Sequence, residues 1–193
     1  MNRSTRSAAL ATTVLALVMG IGGCASKATT DPAPASPATF AEPAAPVTDA
    51  GRLTRVEIPA IDVHEKLHGV GLNADGSMQM PDFGDAGWYD LGPRPGAPGP
   101  AVLVAHVHSP AGPDVFWDLQ ELEPGDLVTV ERTDGTSTFV VERSEQVPKD
   151  DLPYQRIWPK TDDSVLRLIT CGGEFDPQIG GYPDNTIVYA RLA

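Results

Sequence analysis

Cysteine is scarce in this chain: its 193 residues contain only two, Cys24 and Cys171. Aromatic residues make up 6%, and basic residues are outnumbered, 14 Lys+Arg against 26 Asp+Glu, for a net charge of −12. No Lys/Arg-rich run occurs anywhere. Binding to nucleic acid relies on basic residues that neutralise phosphates, so the balance argues against a nucleic-acid partner. Beyond the first 23 positions no stretch of about 20 uncharged apolar residues appears, which excludes a polytopic membrane protein. Internal repeats are absent. What is present is a 41% hydrophobic fraction, enough for one core, in a length that suits one domain plus a terminal appendage.

The appendage reads as an address. Residues 1–7 carry Arg3 and Arg6 with no acid, and residues 8–23 are uncharged and mostly apolar or small, ending Ile21-Gly22-Gly23-Cys24. Such a segment is an export signal, too short for a comfortable membrane span. Its small residues before Cys24 resemble the lipobox of bacterial lipoproteins, which makes Cys24 the candidate lipidation site. An uncleaved signal anchor is the alternative, and both place the rest of the chain at the extracytoplasmic face of the membrane. A lipidated Cys24 leaves Cys171 as the only thiol and no internal disulfide. A lone exported cysteine is either a small buried hydrophobe or a thiol kept for chemistry.

Residues 25–51 form a linker. Between Ala25 and Ala50, 18 of 26 residues are Ala, Pro or Thr, a composition that cannot bury enough surface to fold. With its prolines the segment is semi-extended, reaching at most about 80 Å. Residues 52–193 are then one domain, expected to be all-β because short apolar runs alternate with turns. Strands are expected over residues 55–58, 63–67, 101–105, 127–132, 138–143, 165–170 and 186–192. Asp134-Gly135 is expected as a hairpin turn between Val128/Val130 and Phe139/Val141, and Asn73-Ala74-Asp75-Gly76 as a weaker turn. Val115, Phe116, Leu119 and Leu122 recur at helical spacing before Pro124-Gly125, which predicts one short helix. Residues 92–100, rich in Pro and Gly, read as an exposed loop.

Two segments carry chemistry. The first, Val102-Leu103-Val104-Ala105-His106-Val107-His108-Ser109-Pro110, is an apolar run ending in two histidines one residue apart. On a strand His106 and His108 would share a face, and imidazole titrates near neutrality. The pair would be half of a metal site, but three or four ligands are needed, and only His64 and His68 remain as further histidines. No metal or cofactor is therefore assigned. The second segment, Leu166-Arg167-Leu168-Ile169-Thr170-Cys171-Gly172-Gly173, delivers a thiol at the end of an apolar strand. Two glycines follow, which would let another chain approach and leave backbone N–H groups free. A thiol becomes a useful nucleophile when a neighbouring imidazole takes its proton and later returns it to a leaving amine.

Taken together, these segments resemble the sortases, whose strands end in a His and in Thr-Leu/Ile-x-Thr-Cys. Ile58-Pro59-Ala60-Ile61-Asp62-Val63, Gly112-Pro113-Asp114-Val115-Phe116, Leu122-Glu123-Pro124-Gly125-Asp126 and Thr170-Cys171-Gly172-Gly173-Glu174-Phe175-Asp176 are similar to the actinobacterial class F branch, or the neighbouring class E. The resemblance implies a closed eight-stranded β-barrel and a cysteine transpeptidase. Cys171 would attack the Thr carbonyl of a Leu-Pro-x-Thr-Gly-like sorting signal to give a thioacyl-enzyme. An amine, such as that of a peptidoglycan precursor, would release the product, with His106 as general acid and base. Thr170 and Gly172 would contact the substrate. The implied partners are exported proteins bearing such signals, the amine acceptor and, through the lipid, the membrane. The chain itself carries no Leu-Pro-x-Thr-Gly motif and so resembles the enzyme, not its substrate.

Three departures from the family pattern stand out. Ala105 replaces the customary Gly before the His, and His108 sits where Asp is common. Third, the family's Arg near the start of the last strand is missing: a segment often reading Tyr-Arg-Asp-Asn is here Tyr182-Pro183-Asp184-Asn185. Asn185 lies on the same strand face and could donate one neutral hydrogen bond, without the charge or fork of Arg. Arg167 shares strand parity with Cys171, and Arg191 lies on the last strand, neither in the expected place. Two rival readings remain. One is a degenerate sortase that acts as a slow hydrolase or binds sorting signals without catalysis; the other is an exported metal-binding lipoprotein using His106 and His108.

Overall fold

A computed structural model of the protein describes residues 51–193. The export signal, Cys24 and the linker up to residue 50 lie outside the described residues. Gly51 is already buried, and its carbonyl accepts a hydrogen bond from Arg94 Nη1 at 2.7 Å, so the chain is fastened to the domain one residue before the expected boundary.

The described residues form ten strands: β1 (Leu53–Ile58), β2 (Val63–Val70), β3 (Ala86–Tyr89), β4 (Gly99–Val104), β5 (His108–Ser109), β6 (Gly112–Pro113), β7 (Leu127–Arg132), β8 (Gly135–Pro148), β9 (Ser164–Gly172) and β10 (Asp184–Leu192). Eight close into a barrel in the order β1-β2-β3-β4-β9-β10-β8-β7, and β5 and β6 form a separate small ladder. The expected closed eight-stranded all-β barrel is therefore what the chain adopts. Closure leaves the barrel without an open edge, which explains how so many short strands are stable together. Pairing is parallel between β2 and β3 and between β4 and β9, and antiparallel elsewhere.

Side chains alternate across the wall. Leu103, Leu166, Leu168, Val188 and Ala190 point inward with Val56, Ile58, Val128, Val130 and Phe139, forming one continuous core. The opposite face of the β4-β9-β10 wall is apolar as well: Val102, Val104, Ile187 and Tyr189 pack there beneath Ile157 of α1 (Tyr154–Ile157). A register shift opposite Tyr189/Ala190 makes Glu142 the extra residue of a β-bulge in β8. Before the bulge Phe139 and Val141 face the core; after it Arg143 and Glu145 stand on the outer face, level with Tyr189 and Ile187.

Several sequence expectations change in detail. The strand predicted over 138–143 runs on to Pro148, because the bulge reverses the alternation that had marked its end. β3 was not expected; Ala86-Gly87-Trp88-Tyr89 shows no alternation, yet its first three residues are buried. The β7–β8 hairpin turns on Thr133 and Asp134, with Gly135 at φ 143° opening β8 opposite Arg132. No α-helix forms at Val115–Leu122, where the short helix is a single 3-10 turn. Phe116, Leu119 and Leu122 do bury themselves, but through turns and a 3-10 segment, Leu119–Glu121. The α-helical turn is instead α1, bounded by Pro153 at its start and by Pro159 just past Trp158. The stretch 92–100 is not simply an exposed loop: Pro95 is buried, the Pro93 carbonyl takes the Trp88 indole N–H, and β4 begins at Gly99. The turn at Asn73–Gly76 is present, closed by Gly76 N–H to the Asn73 carbonyl at 2.9 Å.

Candidate functional site

Cys171 is a free thiol, partly exposed, on the penultimate residue of β9 and on the outer face of the wall. Asn185 stands directly across from it on β10. The parallel register Val104↔Ile169, continued past the end of β4, brings His106 level with Cys171. Two bonds extend that pairing: Ala105 N–H reaches the Ile169 carbonyl at 3.4 Å, and Thr170 Oγ1 donates to the Ala105 carbonyl at 2.8 Å. Thr170 is buried, and its hydroxyl is committed to this tie. It therefore fixes the Cys171 strand to the residue before His106.

Cys171 lies where two clefts meet. The larger, about 450 Å³, has Val104, Ile169, Cys171 and Asn185 on its floor. Leu72, Met78, Met80, Tyr89, Leu152, Tyr154 and Trp158 also line it. It is an apolar slot leading to a thiol and an amide, suited to an extended peptide with hydrophobic side chains. The smaller, about 140 Å³, shares Thr170 and Cys171 and runs between Trp117, Asp118 and Glu121 and the Gly173–Tyr182 side. A reacting carbonyl on the sulfur would thus be reachable from two directions.

His106 is half-buried and faces neither cleft openly. Its Nε2 lies 3.1 Å from the Pro81 carbonyl, and the Phe83 ring lies against it with centroids 4.5 Å apart. No hydrogen bond joins His106 to Cys171 among the described residues. His108 does not share its surroundings: the chain turns after His106, with Phe116 N–H bonded to the His106 carbonyl and Asp114 N–H to that of Val107. His108 then falls in β5, 6.1 Å from the Trp117 ring centroid. Among the described residues no three His, Cys, Asp or Glu side chains come together as a metal site. The metal-binding alternative lacks a third ligand there.

Gly172 lines the smaller cleft beside Cys171 and also has a packing part within the barrel. It is buried within β9, opposite Asp184, and a Cβ there would lie 2.6 Å from Thr186 Oγ1 and 2.9 Å from Thr186 N. The close approach it permits is that of the protein's own β10. Gly173, at φ 85°, makes the exit turn that glycine favours. Pro183 packs against that turn, 3.2 Å from the Cβ position of Gly173. Among the described residues no arginine lines either cleft at Cys171. Arg167, four residues back on the same face, is buried and spent: Nε donates to the Arg156 carbonyl and Nη1 to that of Leu166, with the guanidinium 4.7 Å over the Tyr189 ring. Arg191 pairs with Glu142 at 3.5 Å near the far end of β10. The Asn185 side chain makes no hydrogen bond among the described residues, which leaves its amide free for a ligand.

Residues 56–193 match the Sortase domain family. The chain belongs to the sortase family. Its barrel is similar to those of solved sortases at low identity. A Clostridium perfringens sortase D5 transpeptidase superposes with TM-score 0.54 at 18% identity, over 74% of this chain and 79% of that one. The pilus-related sortase C of Group B Streptococcus gives 0.57 at 16%, over 74% and 68%. Sortase A of Corynebacterium diphtheriae gives 0.57 at 17%, over 75% of this chain and 61% of that one. Among curated protein sequences none matches. The sortase fold thus supplies the frame of a cysteine transpeptidase, and in this sortase the frame carries Cys171 on β9 and His106 two residues past the end of the neighbouring β4.

Proposed function

We propose that this sortase is an extracytoplasmic cysteine transpeptidase of the class F type, cleaving the Thr–Gly bond of a Leu-Pro-x-Thr-Gly-like sorting signal and passing the acyl group to an amine. The observation that carries the reading is the placement of Cys171 at the meeting point of two clefts, with His106 in register beside it. The signal peptide lies in the apolar slot, and its hydrophobic residues displace water from Met78, Leu152 and Trp158. Cys171 Sγ attacks the Thr carbonyl carbon, and the thiol proton passes to His106. The tetrahedral oxyanion takes a hydrogen bond from the Asn185 amide. His106 then protonates the leaving glycine nitrogen, and the C–N bond breaks to leave the thioester. The acceptor amine, such as that of a peptidoglycan precursor, enters by the smaller cleft and loses its proton to His106 as it displaces the sulfur. A lipid on Cys24 and the linker hold the domain at the outer face of the membrane.

A second reading rests on the arginine-free site: Pro183 offers no donor, and Arg167 is committed elsewhere. A neutral amide stabilises an oxyanion less than a guanidinium, so the enzyme would turn over slowly or bind the signal without transfer. One experiment separates the two. The chain is incubated with Leu-Pro-x-Thr-Gly peptides, with and without an amine, and followed by mass spectrometry. A Cys171 adduct and a transfer product, both lost in Cys171→Ala, support the transpeptidase; an alkylatable Cys171 that never acylates leaves the binding protein.

A further inference from the structure

Residues 81–84 pass over His106 in an arrangement that the reaction scheme does not use. Three contacts define it. Nε2 of His106 lies 3.1 Å from the Pro81 carbonyl. The Phe83 ring, though 56% of the residue is exposed, lies on the imidazole at 4.5 Å and 44°. The next residue is tethered, with Gly84 N–H donating to Asp114 Oδ1 at 3.0 Å. The same oxygen accepts the Val115 N–H at 2.8 Å, while the Asp114 N–H donates to the carbonyl of Val107, the neighbour of His106. The other oxygen, Oδ2, is buried without a partner, so this carboxylate bears a desolvation cost while its Oδ1 clamps the segment. The segment is thereby pinned to the loop that leaves His106.

A carbonyl oxygen only accepts, so Nε2 must carry the proton of the bond to Pro81. In the neutral ring Nδ1 is then the open lone pair, because the partner of one imidazole nitrogen decides the role of the other. We propose that residues 81–84 are a positioning strap, fastened by Asp114, which holds His106 as the Nε2–H tautomer and leaves Nδ1 to exchange protons with Cys171 and with the leaving and incoming amines. The proposal rests on the acid–base role given to His106 above. The protons balance: Nδ1 takes the thiol proton to give an imidazolium that keeps its Nε2–H bond to Pro81, and the same Nδ1 proton then goes to the leaving nitrogen. Phe83 lies on one ring face and resists the flip that would exchange the two nitrogens. Phe83 and Asp114 are positioning residues; neither touches the reacting atoms.

The test uses the full chain in detergent with ¹⁵N-labelled histidine. The His106 ring signals are assigned by their loss in His106→Gln, and transfer of a Leu-Pro-x-Thr-Gly peptide is measured in parallel. The wild type should show the Nε2–H tautomer. Asp114→Ala and Phe83→Ala should each give a tautomer mixture, with kcat lower by about ten- to a hundredfold and KM within about twofold, the signature of lost orientation. Asp114→Asn keeps an oxygen for Gly84 and Val115 and should recover most of that loss. Because Phe83 is exposed, its variant folds even if Asp114→Ala does not. An Nδ1–H tautomer in the wild type, or a Phe83→Ala chain with unchanged tautomer and kcat, overturns the strap. A wild type with the Nε2–H signature, lost on Phe83→Ala, but with no transfer at all would uphold the strap and sink the catalytic role instead.

Discussion

Two cross-strand pairs stand on the same outer face of the same two strands, four residues apart: Arg167 opposite Tyr189, and Cys171 opposite Asn185. In the first both side chains are engaged within the protein. Arg167 donates to two carbonyls, and Arg143 lies 3.6 Å over the Tyr189 ring. The Tyr189 hydroxyl donates to Glu145, which also receives Arg156 Nε at 3.2 Å and Nη2 at 3.4 Å. In the second pair neither side chain makes a hydrogen bond among the described residues, and the thiol and the amide face a cleft. A saturated network stabilises the fold and is inert; an unsaturated pair contributes little to stability and keeps its bonding capacity for a ligand.

The sharpest way to break this contrast is to exchange the expected losses. Cys171→Ala should abolish transfer, a fall of about 10⁴-fold or more, while the urea midpoint stays near that of the wild type. Arg167→Ala should do the reverse, costing about 2–4 kcal/mol through a cavity and two unpaired carbonyls, with activity retained wherever the protein is folded. Urea unfolding with unchanged slope checks the second. A destabilised Cys171→Ala or a stable but inactive Arg167→Ala would erase the distinction. His106→Ala should lower kcat by about 10²- to 10⁴-fold without a comparable loss of stability. Next in size, Asn185→Ala should lower kcat by about 10²-fold if its amide faces the oxyanion. Pro183→Arg, placing a guanidinium just ahead of β10 and two residues before Asn185, should raise it by about tenfold, as a charged donor is added beside the neutral one. Single-turnover acylation rates report both.

The smallest effect concerns acid. Burial pushes the Glu145 carboxyl up, but the Tyr189 hydroxyl, Arg143 and Arg156 more than cancel it, holding the group below its ordinary value. A depressed carboxylate contributes stability that is present above its unfolded pKa, about 4.3 for Glu, and lost as pH falls through the folded value. Glu145→Gln should therefore remove part of the decline in stability below about pH 4.3, leaving a flatter urea-midpoint profile there. For Tyr189 the direction is opposite: burial and the Glu145 bond raise the phenol, so its contribution holds below about pH 10 and fades above.

Seven of the eight barrel strands were legible as short apolar runs set off by turns, because each buries apolar side chains on one or both faces. The eighth, β3, was hidden by Ala86-Gly87, whose small side chains give no alternation to read. The second half of β8 was hidden by the Glu142 bulge, which reverses phase so that Arg143 and Glu145 look like the start of a loop. The helix expected at Val115–Leu122 had the right buried residues and the wrong backbone, since burial at spacings of three is served equally by successive turns. In the site, Cys171, His106 and Asn185 were named from sequence because they carry reactive or donor side chains at strand ends. The sequence puts Gly172 just past the end of a strand over 165–170, whereas β9 includes it, and its neighbour in space, Thr186, is fixed by the β9–β10 register, which sequence does not state. Pro81 was invisible for a different reason: what it offers His106 is a backbone carbonyl, which every residue has.

The bond from Thr170 to the Ala105 carbonyl joins positions 65 apart in sequence, across a parallel pair whose connecting chain must itself become β7 and β8 of the barrel. Such distant pairing forms late, after the entropy of a long loop has been overcome. Cys171 and His106 therefore come level only in the finished barrel. A chain still folding holds the two side chains apart, so the pair that transfer would need is assembled only when the last strands close.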